Sequence, residues 1–544
     1  MLKQFNTLAD LRNDFSWKVP THYNIGVDVC DRLAAMMPGA PAIIDVADDG
    51  NALTHDFASL RVLADQSAHV LSGHAGRGDR VAVLLPQSVE TAAAHIAIYK
   101  MGAVAVPLFT LFGPDALAYR LKDSGTRCVI TNAKGAAILA SLRDDLPDLA
   151  AVFSIEETTG AALDLCRMRQ GQPNHFDAVE TRSDDPALLI YTSGTTGPPK
   201  GALHAHRVLL GHLPGVEMSH DFFPQPNDKI WTPADWAWIG GLLDVLLPAL
   251  HHGVPVVACR FEKFTAQAAF DLIRTHRVRN AFLPPTALKL MRQDCPDQPV
   301  PMRSVASGGE TLGKSLIAWG QRTFGVTINE FYGQTECNMI VSSCAAIATA
   351  EPGVMGFPVP GHDVAVVDEV AKQFCNTGQE GSIAVRAPDP VMFLRYWNNP
   401  DATEKKFIHL AGQDWLLTGD KGCLTDTGRV RFIGRDDDVI SSGSYRIGPS
   451  EIEDCLITHP AVQLAGVIGT PDAIRGEIVT AYIQLNPGYQ PDETLTNEIA
   501  DHVKTRLAAY EYPRIIRFID QMPLTTTGKI IRATLRSLAE DDGI

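Results

Sequence analysis

The sequence is poor in the features that lead a chain to a membrane, a metal centre or a nucleic acid. Ten cysteines are scattered through 544 residues; none forms a Cys-x-x-Cys pair, and no His/Cys cluster has zinc spacing. A disulfide scaffold is thereby excluded, and reduced, mostly buried thiols are expected. No apolar run is clean enough to span a bilayer: residues 239–258 are interrupted by Asp244, Pro248 and two histidines. The start, Met1-Leu2-Lys3-Gln4-Phe5-Asn6, lacks the basic-then-apolar pattern of a secretory signal. Positive charge is in deficit, with 47 Lys and Arg against 63 Asp and Glu, a net charge of −16. Phosphate backbones need a basic face, so nucleic acid is not the main partner, although small anions can still bind in local positive pockets. The expectation is a soluble, cytoplasmic protein.

What is present is an ordinary globular composition, 45% apolar and 20% charged, in a chain long enough for two or more domains. From residue 57 the pattern alternates. Helical spacing over 57–73 and 89–101 brackets apolar runs at 80–85 and 102–108, and 127–131 and 151–155 continue the series. The same rhythm returns at 254–259, 280–283 and 328–332, with helical stretches at 265–278 and 313–324. Alternation of this kind predicts α/β layers with largely parallel strands, here two lobes. Residues 380–434 shift to short β segments with Gly and Asp turns. The charged run Gly434-Arg435-Asp436-Asp437-Asp438 reads as a boundary. The expected division is a large domain over 1–434 and a small α+β domain over 435–544.

One stretch carries more chemistry than the rest. The apolar run Ala187-Leu188-Leu189-Ile190-Tyr191 leads into Thr192-Ser193-Gly194-Thr195-Thr196-Gly197-Pro198-Pro199-Lys200-Gly201. Glycines let a backbone approach an anion and turn its N–H groups inward; hydroxyls add donors and Lys200 a point charge. This is a phosphate cradle after a buried strand. It is not the P-loop of NTPases, which would require Gly where Pro199 stands and Ser or Thr where Gly201 stands.

Further clusters follow strand-like runs: Ser307-Gly308-Gly309-Glu310-Thr311, Tyr332-Gly333-Gln334-Thr335-Glu336, Thr418-Gly419-Asp420, the boundary run, and Thr525-Thr526-Thr527-Gly528-Lys529-Ile530. Each alone is a turn. In this order, from about residue 57 to 532, they resemble the adenylate-forming superfamily, nearest to the acetyl- and medium-chain acyl-CoA synthetases. Tyr445-Arg446-Ile447-Gly448-Pro449 and the Tyr-Gly-Gln-Thr-Glu run point to the medium-chain group.

The resemblance implies a two-step reaction. A carboxylate attacks the α-phosphate of Mg-ATP, giving acyl-adenylate and pyrophosphate; the thiol of CoA then displaces AMP. The carboxylate is already ionised at neutral pH, so the first step requires charge neutralisation and alignment rather than a general base. By the same resemblance Thr192, Ser193, Gly194, Thr195, Thr196, Gly197 and Lys200 hold the outer phosphates. Gly309, Glu310 and Thr311 border the nucleotide, Tyr332 stacks on adenine within the Tyr332-Gly333-Gln334 run, and Glu330 faces the adenine amino group. Thr335 contacts the α-phosphate, Glu336 ligates Mg²⁺, Asp420 accepts from the ribose with Arg435 nearby, and Lys529 lies across the α-phosphate. Asp437 matches a hinge about which the small domain turns, replacing Lys529 with Arg446 and the loop before it. That loop departs from its relatives, because Gly443-Ser444-Tyr445 places the serine where they carry glycine. Lys504 falls where acetyl-CoA synthetases carry an arginine for a CoA phosphate. A lysine acetyltransferase and deacetylase acting on Lys529, and a homodimer, are the further partners considered.

Acetyl-CoA synthetases narrow their acyl site with bulky residues. Here three of those positions are glycine (Gly240, Gly308 and Gly333), while Trp238 is kept beside Ile239. At roughly 0.8 kcal/mol per buried CH₂, lost bulk favours a larger apolar acid, medium-chain, branched or aromatic. The alternatives are an adenylation enzyme that loads a carrier protein, though little chain follows Lys529, and a nucleotide-binding protein without catalysis.

Overall fold

In the computed structural model, apolar runs four to seven residues long become the central strands of two mixed sheets. The structure describes residues 2–47, 49–157, 160–192, 198–261, 263–295, 299–310, 312–351, 353–435, 438–442, 445–472, 476–507, 511–525 and 528–542. Of these, the side chains of Ser441, Tyr445, Arg446 and Glu451 are left aside.

The first sheet has eight strands among the described residues. Arg80–Leu84, Val104–Pro107, Cys128–Thr131, Ala151–Ser154 and Leu163–Asp164 run parallel, joined on the inner side by Pro186–Thr192. The side chains of the first three are buried on both faces, as parallel strands covered by helices require. The helix Val89–Lys100 covers one face. It starts where the Ser88 hydroxyl accepts from the Thr91 N–H, and its central residues are buried all round. Two antiparallel strands complete the sheet. Lys200–Ala205 returns along Pro186–Thr192. Arg395–Tyr396, almost two hundred residues later, docks on Lys200–Ala205, with Leu394 N–H donating to Leu203 O at 2.7 Å and Trp397 N–H to Gly201 O at 2.7 Å.

The second sheet has nine strands. Ile328–Gln334, Ser304–Gly308, Asn280–Phe282, Ile230–Trp231, Val256–Cys259 and Pro41–Val46 are parallel neighbours in that order. The hairpin of Pro41–Val46 and Ala52–Asp56 therefore belongs to the second lobe, although it precedes the first in the chain. At the other end Cys337–Ser342 turns back antiparallel on Ile328–Gln334, with a register shift at Gly333.

A third, antiparallel sheet holds Gly381–Arg386, Gln413–Leu424 and Val430–Arg435. A fourth lies beyond residue 440. Its long hairpin, Val462–Asp472 with Gly476–Leu485, pairs in parallel with Ile515–Phe518. It has its own apolar core, including Ile452, Leu456, Val467, Ile483 and Ile499. This is the α/β architecture expected, a large body of two lobes with largely parallel strands and a β-rich sheet, with a small C-terminal body. No helix among the described residues is long and apolar enough to cross a membrane.

Candidate active site

The cluster forms where strands of three sheets end against the small body. Along Ile328–Gln334 successive side chains leave on opposite faces. Glu330 and Tyr332 depart on one face, Phe331 on the other, and this alternation separates two chemistries.

On the first face Tyr332 is buried, and its hydroxyl donates to Asp420 Oδ2 at 2.5 Å. Burial and the neighbouring carboxylate push the tyrosine well above its ordinary value. Asp420 is raised by burial, opposed by the Tyr332 bond and by the cations Arg435, Lys406 and Lys529. Arg435 stands across from it in the antiparallel pair of Gln413–Leu424 and Val430–Arg435. Glu330 is buried with Ser343 N–H on its main-chain oxygen, and burial pushes its carboxyl up to about 8. At neutral pH it is therefore a protonated acid that can donate as well as accept.

Two residues outside the sequence motifs complete this face. The Tyr396 hydroxyl donates to Glu336 Oε1, while Lys200 Nζ lies 5.4 Å from the centroid of the Tyr396 ring. The strand Arg395–Tyr396 thus brings the end of the phosphate loop and the buried Glu336 carboxylate to one tyrosine. Lys406 Nζ donates to Gln334 Oε1 at 3.0 Å and to Thr418 O at 3.1 Å, and Gln334 Nε2 donates to Thr418 O at 2.7 Å. Burial lowers the Lys406 pKa, against the pull of Glu336 and Asp420. Lys406 sits in a charged run, Glu404-Lys405-Lys406, that reads as a solvated face; only strand pairing turns it inward.

Lys529 arrives from the small body and is held by Thr525. Thr525 N–H donates to Lys529 O at 2.7 Å, Gly528 N–H to Thr525 O at 2.9 Å, and Lys529 N–H to Thr525 Oγ1 at 3.0 Å. Gly528 has φ +83 and stands so close to Thr286 of the large body that a Cβ there would meet Thr286 Cγ2 at 2.8 Å. Lys529 Nζ is 3.6 Å from where a Cβ on Gly309 would lie, and Gly309 itself has φ +97, a backbone that glycine accepts without strain. The protein walls around it lower the Lys529 pKa, opposed by Glu310 and Asp420. Glu310 also meets Lys289 Nζ at 3.4 Å.

Thr192 and Thr335 are half-buried at the ends of their strands. Ser193, Gly194, Thr195, Thr196, Gly197, Thr311, Asp437, Gly443 and Ser444 lie outside the described residues, and Tyr445 and Arg446 are described only as the strand Tyr445–Ile447. Lys504 is not brought to the cluster. It is exposed at the end of the helix Glu493–Lys504, over the Tyr512 ring at 5.4 Å.

The second face shows what stands immediately beside the three glycines. A Cβ on Gly308 would lie 2.6 Å from the Phe331 ring, and one on Gly240 would lie 2.9 Å from Phe282; the two rings sit 5.1 Å apart. A Cβ on Gly333 would meet the returning strand at Met339 N, 2.5 Å away. A glycine reports only the absence of its own side chain, and these neighbours come from other strands. Trp238 is half-buried and packs on Phe109 and Phe112 at 5.8 and 5.9 Å; Ile239 beside it packs on the large core, and Trp236 is wholly buried.

The donor set suits a magnesium nucleotide. No group of three or more metal-ligating side chains occurs among the described residues, but Mg²⁺ takes one or two carboxylates with substrate phosphates. Buried Glu336, with one oxygen tied by Tyr396, fits that need.

The pattern recurs in known proteins. The family model described as AMP-binding enzyme matches residues 30–397, and the AMP-binding enzyme C-terminal domain matches 451–529. The mitochondrial acyl-coenzyme A synthetase ACSM2 of Rattus norvegicus is 34% identical, over 96% of this chain and 92% of that protein. The acetyl-coenzyme A synthetase of Bacillus subtilis (strain 168) is 31% identical, over 89% and 85%. Among solved structures, the anthranilate CoA ligase AuaEII in complex with anthranoyl-AMP superposes with a TM-score of 0.85 at 28% identity, covering 96% of this chain and 98% of that one.

Proposed function

Since the chain belongs to the AMP-binding enzyme family and is an AMP-forming acyl-CoA ligase that uses ATP, Mg²⁺ and CoA, we propose that its acid is medium-chain, branched or aromatic rather than acetate. The site residues act on it as follows. Lys200 and the loop from Thr192 hold the outer phosphates and then pyrophosphate. Glu336, positioned by Tyr396, is the carboxylate that holds Mg²⁺; that ion, when bound, neutralises phosphate charge. Thr335 contacts the α-phosphate. Tyr332 and Glu330 take the adenine, with Gly309, Glu310, Thr311, Gly333 and Gln334 around it. Asp420 and Arg435 take the ribose. Lys529 supplies positive charge where the carboxylate attacks.

One observation carries this assignment: the small body presents Lys529 beside Gly309 and Glu310, on the same side as Asp420 and Arg435. We place the domain boundary at 434/435, with Asp437 as hinge. Rotation there withdraws Lys529 for the thioester step and brings up Arg446, Gly443, Ser444 and Tyr445, with Lys504 reserved for CoA. Support for a larger acid comes from the aromatic walls Trp238, Phe282 and Phe331, and from a structural neighbour that holds anthranoyl-AMP. The substrate side of the site is then Trp238, Ile239, Gly240, Gly308 and Gly333. A cytoplasmic setting, a homodimer, and control by acetylation of Lys529, which would remove the charge the first step uses, complete the proposal.

The test is a panel of carboxylic acids scored by pyrophosphate release, with and without CoA. Release with larger acids, and acyl-CoA plus AMP only when CoA is present, is the expected result. Acetate as the best acid, or no release with any acid, would overturn the reading.

A further inference from the structure

Behind the acyl side lies a polar group that no nucleotide or CoA step uses. Asp244 stands in the helical segment Leu242–Leu246 and is 2% exposed. Its Oδ1 accepts from Asn338 Nδ2 at 2.7 Å. Among the described residues no donor meets its Oδ2, which lies 3.6 Å from where a Cβ on Gly240 would stand. Asn338 borders Gly333 in the same way, its Cα 2.6 Å from a Cβ built there. Two of the three glycines on the acyl side therefore stand against one Asp–Asn pair. A third polar group stands behind. His212 is fully buried, its Nδ1 bonded to Val208 O at 2.8 Å, its Nε2 without a hydrogen-bond partner and 3.9 Å from Asp244 Oδ1. Burial lowers the imidazole to about 4 and raises the aspartate well above the usual carboxylate range.

A buried hydrogen-bonding group aimed at an acyl site is unfavourable against an alkyl chain and favourable against a matching polar substituent. Phe282 and Phe331 flank the same space with flat rings. Resting on the acyl-CoA ligase reading above, we propose that Asp244 and Asn338 are specificity residues that select an aromatic acid bearing a hydroxyl or amino substituent over the unsubstituted acid.

The test compares benzoate with its 2-, 3- and 4-hydroxy and amino derivatives, and with a straight alkyl acid, by kcat/KM for pyrophosphate release. At least one substituted acid should exceed benzoate tenfold or more. Asp244→Leu should bring that ratio near one by weakening the substituted acid, while Asp244→Asn, nearly isosteric and with one acceptor oxygen kept, should lower it at least threefold. Benzoate or the alkyl acid outrunning every substituted acid would overturn the proposal and leave the ligase reading standing. Equal losses for all acids in both variants would also overturn it, since that is what a merely structural role gives. No pyrophosphate release with any acid would refute the ligase reading itself, and the proposal with it.

Discussion

Arg532 offers the sharpest test of how Lys529 is held in place. Three residues beyond the lysine, its guanidinium donates to both oxygens of Glu453 at 2.7 Å and to Asp438 Oδ2 at 3.3 Å; its Nε donates to Val467 O at 3.2 Å. Arg536 adds a bond to Asp438 Oδ1 at 2.6 Å. The arginine side chain is 17% exposed and its partners 11% and 8%. Removing one partner of such a buried network strands the others, at about 3–5 kcal/mol. Arg532→Met keeps the apolar stem and leaves both carboxylates without their cation. We take 3 kcal/mol, the low end, because Arg536 still covers Asp438. The readout is amide exchange at Val467, whose N–H donates to Glu453 Oε1 at 2.9 Å. At 1.36 kcal/mol per decade, protection should fall about a hundredfold. The strand Arg80–Leu84, in the other body, should be unchanged. Adding Glu453→Gln should restore at least about 1 kcal/mol, since one stranded charge is gone. Pyrophosphate release should fall with the single change. A loss of protection under threefold, or an equal loss in Arg80–Leu84, would refute the account.

Three further outcomes are expected. Lys529→Ala should lower acyl-adenylate formation by about a hundredfold or more yet leave thioester formation from supplied acyl-adenylate within a few-fold; equal losses would contradict the rotation. Gly333→Trp has no room against Met339 N and Asn338 Cα, so it should cost about 1–3 kcal/mol or more by overpacking, and an unchanged melting temperature would sink that argument. Glu330 is raised to about 8 in the fold. Its folded state therefore binds more protons than the unfolded chain between the ordinary glutamate pKa and that value, and its contribution to stability is lost as pH rises through that interval. Glu330→Gln should thus gain on the wild type between pH 5 and pH 8, by up to a few kcal/mol; parallel denaturation midpoints at both values would show that Glu330 is not held neutral.

Much of this was legible before any coordinates. Strands such as Arg80–Leu84 and Cys128–Thr131 announce themselves because both faces are buried and the apolar run is unbroken. The motifs supplied Tyr332, Asp420, Glu336 and Lys529, and folding brings them to one region. The hairpin Pro41–Asp56 was not legible, since its sheet partner Val256–Cys259 lies far along the chain. Tyr396 was missed because Arg395-Tyr396-Trp397 carries no motif until it docks beside Lys200. What stands against the three glycines was not legible, because it is decided by Phe282, Phe331 and Asn338, on three other segments.

That early hairpin also sets a timetable. Its parallel neighbour is translated about 200 residues after it, which at 5–20 residues per second is about 10–40 s. Throughout that interval Pro41–Val46 has only Ala52–Asp56 as a strand partner and its other edge is unpaired, a template for wrong partners. The first lobe can close around its own strands in the meantime. The second cannot until Val256–Cys259 has been made. Any splitting or recombination of this protein between relatives must therefore keep residues 41–56 and 230–342 from the same parent, however far apart they stand in the gene.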